Sequence, residues 1–179
     1  MNICVYGAAS DDIDKSYLEK GITLGKEIAK RSHTLVFGGG ATGLMGAVAK
    51  GVESESGTLV GIAPRFFDVD GILFKRCSEF IFTDTMRQRK KIMEEKSDAF
   101  IVTVGGIGTL EEFLEILTLR SLSRHKKPIA ILNTNGYYDS LISFLENGAE
   151  QKFLKKEDVD LFFVSDDVTS ILDYIESYK

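Results

Sequence analysis

The sequence predicts a three-layer α/β domain: a mostly parallel seven-stranded sheet with helices on both faces. Short apolar runs alternate with amphipathic stretches along the whole chain, the pattern of repeated β-α units. Two of those runs end in glycine-rich turns that open directly into helical patterns. With 179 residues, 44% of them hydrophobic, the chain is ample for one core and short for two. Residues 1–179 are therefore read as a single domain.

Strands are expected near residues 2–6, 34–37, 58–63, 80–83, 99–104, 128–132 and 161–164. The first helix shows in its spacing: Leu18, Ile22, Gly25, Ile28 and Ala29 recur at three and four residues and mark one buried face. Its polar positions Lys20, Lys26, Glu27 and Lys30 fall largely outside that stripe. Further helices are expected near residues 44–53, 86–95, 109–122, 138–148 and 168–177. The connection 64–78 has no periodicity and carries Arg65, Phe66, Phe67, Asp68 and Asp70. A connection of that length in a compact domain points to a functional loop.

A formal net charge of -5 provides no broad attraction for nucleic acid or anionic lipid, so neither is expected as a partner and any anion must be held locally. The basic run Arg124-His-Lys-Lys127 reads as a solvated loop. Cys4 and Cys77 lie far apart without CxxC spacing, and His33 and His125 are the sole nitrogen companions. No metal site or disulfide framework is expected. The first residues enter a strand without a basic n-region, and no apolar stretch is long enough to span a bilayer. The expectation is a cytoplasmic protein with no membrane partner and reduced cysteines.

The most informative stretch is Phe100-Ile-Val-Thr-Val-Gly-Gly-Ile-Gly-Thr-Leu-Glu-Glu112. Amides freed at a helix start point outward with the positive end of the dipole, and glycines let an anion approach them. A phosphate cradle at Gly105, Gly106, Gly108 and Thr109 is expected, with a carboxylate one turn behind it. The stretch Thr34-Leu-Val-Phe-Gly-Gly-Gly-Ala-Thr-Gly-Leu-Met-Gly46 repeats the grammar, so Gly39, Gly40 and Gly43 are expected to hold the same ligand from a second side. Gly38-x-Gly40-x-x-Gly43 also satisfies the dinucleotide pattern. That pattern belongs after the first strand, however, and here it follows the second.

Both turns, the loop from Tyr6 to Ser10 and the 64–78 connection fall at the carboxyl edge of the expected sheet, where open parallel sheets bind ligands. A helix starting at Met86 brings Arg87, Arg89, Lys90 and Lys91 to the same rim. Cations at a helix start oppose the dipole. Arg87 and Lys91 are read as solvent-facing, and Arg89 and Lys90 as candidates for a ligand or a buried carboxylate. Glu111 reads as a partner of the helix dipole. Glu112, three residues after Thr109, has capping-box spacing with Thr109 as N-cap, or faces a ribose if phosphate occupies the amides.

The chain resembles the LOG-type phosphoribohydrolases, the cytokinin-activating "lonely guy" family long mislabelled as lysine decarboxylases. The resemblance covers nearly the whole length. It rests on Gly38-Gly-Gly-x-x-Gly-Leu-Met-Gly46, Met86-x-x-Arg89-Lys90, Ser97-Asp-Ala-Phe100, Gly105-Gly-x-Gly-Thr-x-x-Glu112, and Lys127-Pro128 followed by Asn133-x-x-Gly-Tyr-Tyr138. It implies a Rossmann-like homodimer, with no cofactor, that cleaves the N-glycosidic bond of purine nucleoside 5'-monophosphates, releasing free base and ribose 5-phosphate. Arg89 and Glu112 match the family's catalytic pair. Lys90, Gly105, Gly106, Ile107, Gly108, Thr109, Leu110, Glu111 and Thr118 match positions that contact the nucleotide.

Three departures from the family's pattern bear on substrate range. Val104 stands where proline is usual, the first loop reads Tyr6-Gly-Ala-Ala-Ser10 where Cys-Gly-Ser-Ser is common, and the usual tryptophan and glutamine after Thr118 are missing. Phe66 and Phe67 are candidates for a pocket that takes an isopentenyl tail, with core or dimer contacts the preferred role. No lysine is singled out for a pyridoxal Schiff base, so the decarboxylase label finds no support. The rival function is a non-catalytic nucleotide or molybdenum-cofactor carrier. Retention of both Arg89 and Glu112 argues against it.

Overall fold

Along β1 (Asn2–Tyr6) successive side chains go to opposite faces of the sheet, and each face carries its own core. Ile3 and Val5 join one core, Cys4 and Tyr6 the other. Burial on both sides is why the strands read as continuous apolar runs rather than alternating ones.

The computed structural model describes residues 1–178. The remaining strands are β2 (Thr34–Phe37), β3 (Thr58–Pro64), β4 (Glu79–Thr83), β5 (Ala99–Val102), β6 (Ile129–Leu132) and β7 (Phe163–Ser165). The helices are α1 (Lys15–Lys30), α2 (Gly43–Ser54), α3 (Met86–Lys96), α4 (Ile107–Ser121), α5 (Asp139–Glu150) and α6 (Val168–Ser177). Strand order is β4-β3-β2-β1-β5-β6-β7 and every pairing is parallel, so the sheet is wholly rather than mostly parallel. Helices α1, α2 and α6 cover the Ile3 face through Leu24, Val48 and Ile171, and α3, α4 and α5 cover the Cys4 face through Met93, Phe113 and Leu145. This is the expected three-layer Rossmann-like arrangement. No helix among the described residues is long and apolar enough to cross a membrane.

From β1 the chain steps outward through β2, β3 and β4, then returns to lay β5 on the other side of β1. The connections after β1 and β5 therefore leave in opposite directions and open a crevice at the carboxyl ends of these strands.

The differences from expectation are local. In α1 the deepest residues are Gly21, Leu24, Gly25 and Ile28, while Leu18, Ile22 and Ala29 are only half-buried. Strand β5 stops at Val102 because Thr103 leaves the ladder, although its N–H and its hydroxyl both still donate to the Tyr6 carbonyl, at 2.9 and 2.7 Å. Helix α4 begins at Ile107 with Gly106 as N-cap, so Thr109 is not the cap and no Thr109–Glu112 capping box forms. The box that does form is at α3, where Thr85 and Gln88 bond reciprocally.

Candidate active site

A cavity of about 470 Å³ opens at the β1/β5 crevice. Its walls come from the loop after β1 (Gly7, Ala8, Ala9, Ser10), the 38–43 turn, the 64–78 connection, α3 and the head of α4. The five segments that the sequence assigned to one rim therefore meet there. Phe67, Ile72 and Leu73 of the 64–78 connection form one apolar wall, pinned by an isolated bridge between Gly40 and Leu73.

Arg89 and Glu112 are brought together within this cavity and line it. Both are more than nine-tenths buried, and the Arg89 Nη1–H donates to Glu112 Oε1 at 2.6 Å. The guanidinium also donates from Nε to the Ile62 carbonyl of β3 at 3.2 Å. A Cβ at Gly38 would stand 2.0 Å from Arg89 Nη2, so a glycine at the end of β2 makes room for the arginine. Burial holds the Glu112 carboxyl above its usual value of 4.5, with the neighbouring Arg89 charge pulling the other way. Desolvating two charges is costly, and the pair leans on close hydrogen bonding to offset it.

At the head of α4, none of the amides of residues 105–109 donates to an acceptor among the described residues. Gly106, Gly108 and Thr109 line the cavity, with Glu112 one turn further along the same helix. Free amides with the positive end of a helix dipole behind them favour an anion. Ile107 points out and is 89% exposed, Leu110 packs against the second core, and the Thr109 side chain folds over Gly105, where a Cβ would be 2.1 Å from its hydroxyl.

The 38–43 turn behaves differently. The Gly43 amide at the head of α2 donates to Asp11 Oδ1 at 2.7 Å, the Ala41 amide to Ile72 O and the Met45 amide to Ala8 O. Gly40 reaches the cavity, but Gly39 and Gly43 do not line it. Gly43 has φ 61° and its Cβ would meet Ala8 O at 2.6 Å, so this glycine serves a tight crossing of two loops. Of the three glycines expected to form a second cradle, Gly43 is thus already held by a carboxylate of the protein itself, and only Gly40 faces the cavity.

Lys90 pairs with Glu111 and, at 2.7 Å, with Glu115; because α4 starts at Ile107, Glu111 lies beyond its first turn and is not the helix-dipole partner expected. Glu111 still borders the cavity; Lys90 does not. Thr118 lies elsewhere, in an apolar groove of about 230 Å³ between α4 and the segment before β7. Arg87 and Lys91 face solvent, as expected. Phe66 is 59% exposed and so not core, whereas Phe67 is a cavity wall. The 124–127 run is only partly a solvated loop: His125 bonds the Ile116 carbonyl at 2.9 Å and Lys127 Nζ donates to Glu94 O at 2.6 Å. Sequence reasoning missed Asp11, which acts on a residue 32 positions away and leaves no local signal. Among the described residues, no three His, Cys, Asp or Glu side chains cluster as a metal site would require.

Residues 45–175 match the family model described as "Possible lysine decarboxylase". The chain is 36% identical over 177 residues to the rice (Oryza sativa subsp. japonica) protein named "Probable cytokinin riboside 5'-monophosphate phosphoribohydrolase LOGL6", covering 99% of this chain and 71% of that one. It is 35% identical to cytokinin riboside 5'-monophosphate phosphoribohydrolase LOG3 of Arabidopsis thaliana, covering 98% of this chain and 82% of that one. This chain belongs to the LOG family. The fold of this LOG-family protein is also that of the molybdenum cofactor carrier protein from Chlamydomonas reinhardtii, with a TM-score of 0.75 at 23% identity over 99% of this chain and 96% of that one. At that identity the likeness speaks for fold alone.

Proposed function

We propose that this LOG-family protein is a phosphoribohydrolase that cleaves the N-glycosidic bond of purine nucleoside 5'-monophosphates, of AMP type or N6-modified as in cytokinin ribotides. The observation that carries this is one cavity holding both the uncommitted amides of α4 and the buried Arg89–Glu112 pair. The 5'-phosphate sits on the amides of residues 106–109, and its binding energy positions the sugar over Glu112. As the bond from C1' to the base nitrogen breaks, the electron pair leaves with the base. The Glu112 carboxylate stabilises the oxocarbenium-like sugar and orients the water that attacks C1'. Arg89 keeps its proton, so it holds Glu112 and offers charge to the phosphate or the departing base instead of acting as a base. The water that adds to C1' as hydroxyl gives up one proton and the departing base takes one up, so the sugar leaves as ribose 5-phosphate and the base leaves neutral.

Phe67, Ile72 and Leu73 supply the apolar surface for the base and any N6 tail. A homodimer is part of the same proposal. Leu114 of α4, Leu122 just after it, Phe144 of α5 and Phe153 beyond it are exposed, and Thr118 shares a groove with Leu114 and Leu122, so a second copy seated there would bring Thr118 to a shared boundary.

Incubation with AMP or N6-isopentenyl AMP, followed by chromatography, tests the reaction. Free base and ribose 5-phosphate are expected, and recovery of intact bound nucleotide would replace the enzyme with a carrier.

A further inference from the structure

The string Asn133-x-x-Gly-Tyr-Tyr138 has no part in the chemistry above, yet both tyrosine hydroxyls reach the phosphate turn. Tyr137 OH donates to the Gly105 carbonyl at 3.2 Å. Tyr138 OH donates to the Thr103 carbonyl at 3.0 Å and stands 3.5 Å from the Gly105 carbonyl, the outer limit of a hydrogen bond. Tyr137 is thus the main tie on Gly105, and Tyr138 the tie on the arm beneath it. The intervening Val104 carbonyl accepts from Ala8 N at 3.0 Å, so three successive carbonyls are anchored.

The tyrosines are themselves held. Asn133 Oδ1 accepts from the Tyr138 amide and Asn133 Nδ2 donates to Asp139 Oδ1, both at 2.7 Å. Between them Asn135 and Gly136 take φ of 56° and 67°, turning the chain sharply at the 3-10 turn Thr134–Gly136. The two rings meet edge to face at 4.9 Å.

We infer that Tyr137 and Tyr138 are positioning residues that lock the Gly105–Gly106 peptide so that the Gly106 N–H faces the phosphate. In a trans peptide the carbonyl of one residue and the N–H of the next point in opposite directions, and the chain has no cis bonds. A Gly105 carbonyl drawn toward the tyrosines therefore turns the Gly106 N–H the other way, to the side where Gly106 lines the cavity. A Gly-Gly peptide has no Cβ on either side to resist rotation. Val104 also lacks the ring that a proline would place before the turn. Among the described residues, no donor other than these two hydroxyls comes within hydrogen-bond distance of the Gly105 carbonyl, and Tyr137 is the one that spends its proton there. Without them the peptide is free to rotate and present its carbonyl, which repels phosphate.

This inference rests on the phosphate reading of the α4 turn. Its test is Tyr137→Phe, alone and with Tyr138→Phe, assayed for KM and kcat with AMP, for affinity toward ribose 5-phosphate by calorimetry, and for inhibition by adenosine, which lacks the phosphate. Tyr137 is half-exposed, so its variant keeps the fold even if Tyr138→Phe does not. The lock predicts a KM for AMP and a Kd for ribose 5-phosphate raised about tenfold, the scale of one lost hydrogen bond, with kcat within about twofold and adenosine inhibition unchanged. Equal losses for adenosine and ribose 5-phosphate, or unchanged ribose 5-phosphate affinity in Tyr137→Phe, would overturn it. Ribose 5-phosphate binding that obeys these ratios in a protein that releases no base from AMP would sustain the lock and remove the enzymatic reading. A wild-type protein that binds neither AMP nor ribose 5-phosphate would remove both.

Discussion

The 38–43 and 105–109 turns both carry the chain from an apolar strand through glycines into a helix, yet the Ala41, Gly43 and Met45 amides around the head of α2 are committed within the protein and none of those of residues 105–109 is. The difference lies in what each helix start meets. The α2 turn meets the loop after β1, whose Asp11 carboxylate and Ala8 carbonyl take its amides, and Gly38 there makes space for Arg89. The α4 turn meets the cavity, and its carbonyls are tied back by tyrosines while its amides stay open. One glycine turn makes room for Arg89 and the other leaves its amides open toward the cavity, although their sequences look alike.

The largest effect expected from breaking this division is at Glu112. Glu112→Gln keeps the shape of the Arg89 contact and removes the charge, so kcat for base release should fall by about 10³-fold or more, on the scale of losing a transition-state electrostatic partner. Steady-state kinetics with AMP check this, and near-normal turnover would remove the assignment. Arg89→Ala should be as inactive but is a poorer probe of chemistry. It strands a buried carboxylate, at about 3–5 kcal/mol of stability, which calorimetry would register as a lowered Tm.

The same burial sets a pH dependence. Glu112 holds its proton to higher pH in the folded protein than an ordinary carboxyl does, so the ionised, active form is lost as pH falls through a value above 4.5. The acid limb of kcat/KM should lie above that point. A limb at or below it would contradict the buried placement.

A smaller loss is expected at Gly38, where a methyl group would push Arg89 aside. Gly38→Ala should lower kcat by roughly 10²-fold, the cost of misplacing a reacting group by about 1 Å. Made in an Arg89→Lys background, where Nη2 is gone, the same change should cost much less. Equal losses in both backgrounds would show that Gly38 acts on something other than Arg89.

Smallest is Asp11→Ala, which frees the Gly43 amide. Loss of a capping carboxylate at an exposed loop should cost about 1 kcal/mol, or roughly 2–4 °C in Tm, with kcat barely changed. A loss of phosphate affinity comparable to that of a change at the α4 turn would erase the distinction between the two turns.

The fold was legible because the strands are buried on both faces and announce themselves as apolar runs, and the meeting of Arg89 with Glu112 was legible because both stand in unusual strings that fall at one rim of the sheet. The start of α4 was not. Thr109-x-x-Glu112 has the spacing of a capping box, whereas the true N-cap is Gly106, which has no side chain to advertise it. Occupancy of the second turn was equally hidden, because it depends on Asp11 folding back across the sheet edge to reach Gly43. Phe66 and Phe67 share a sequence signal and diverge only when the 3-10 turn Arg65–Phe67 sends one ring toward solvent and the other onto the cavity.

The most direct measurement is a titration of the isotopically labelled protein with ribose 5-phosphate, following backbone amide shifts. The amides of Gly106, Ile107, Gly108 and Thr109 should move together and saturate, while that of Gly43, held by Asp11, should stay in place. Saturating shifts at Gly43 with still signals at residues 106–109 would contradict the assignment of the phosphate to α4, and with it the placement of Glu112 beside the sugar.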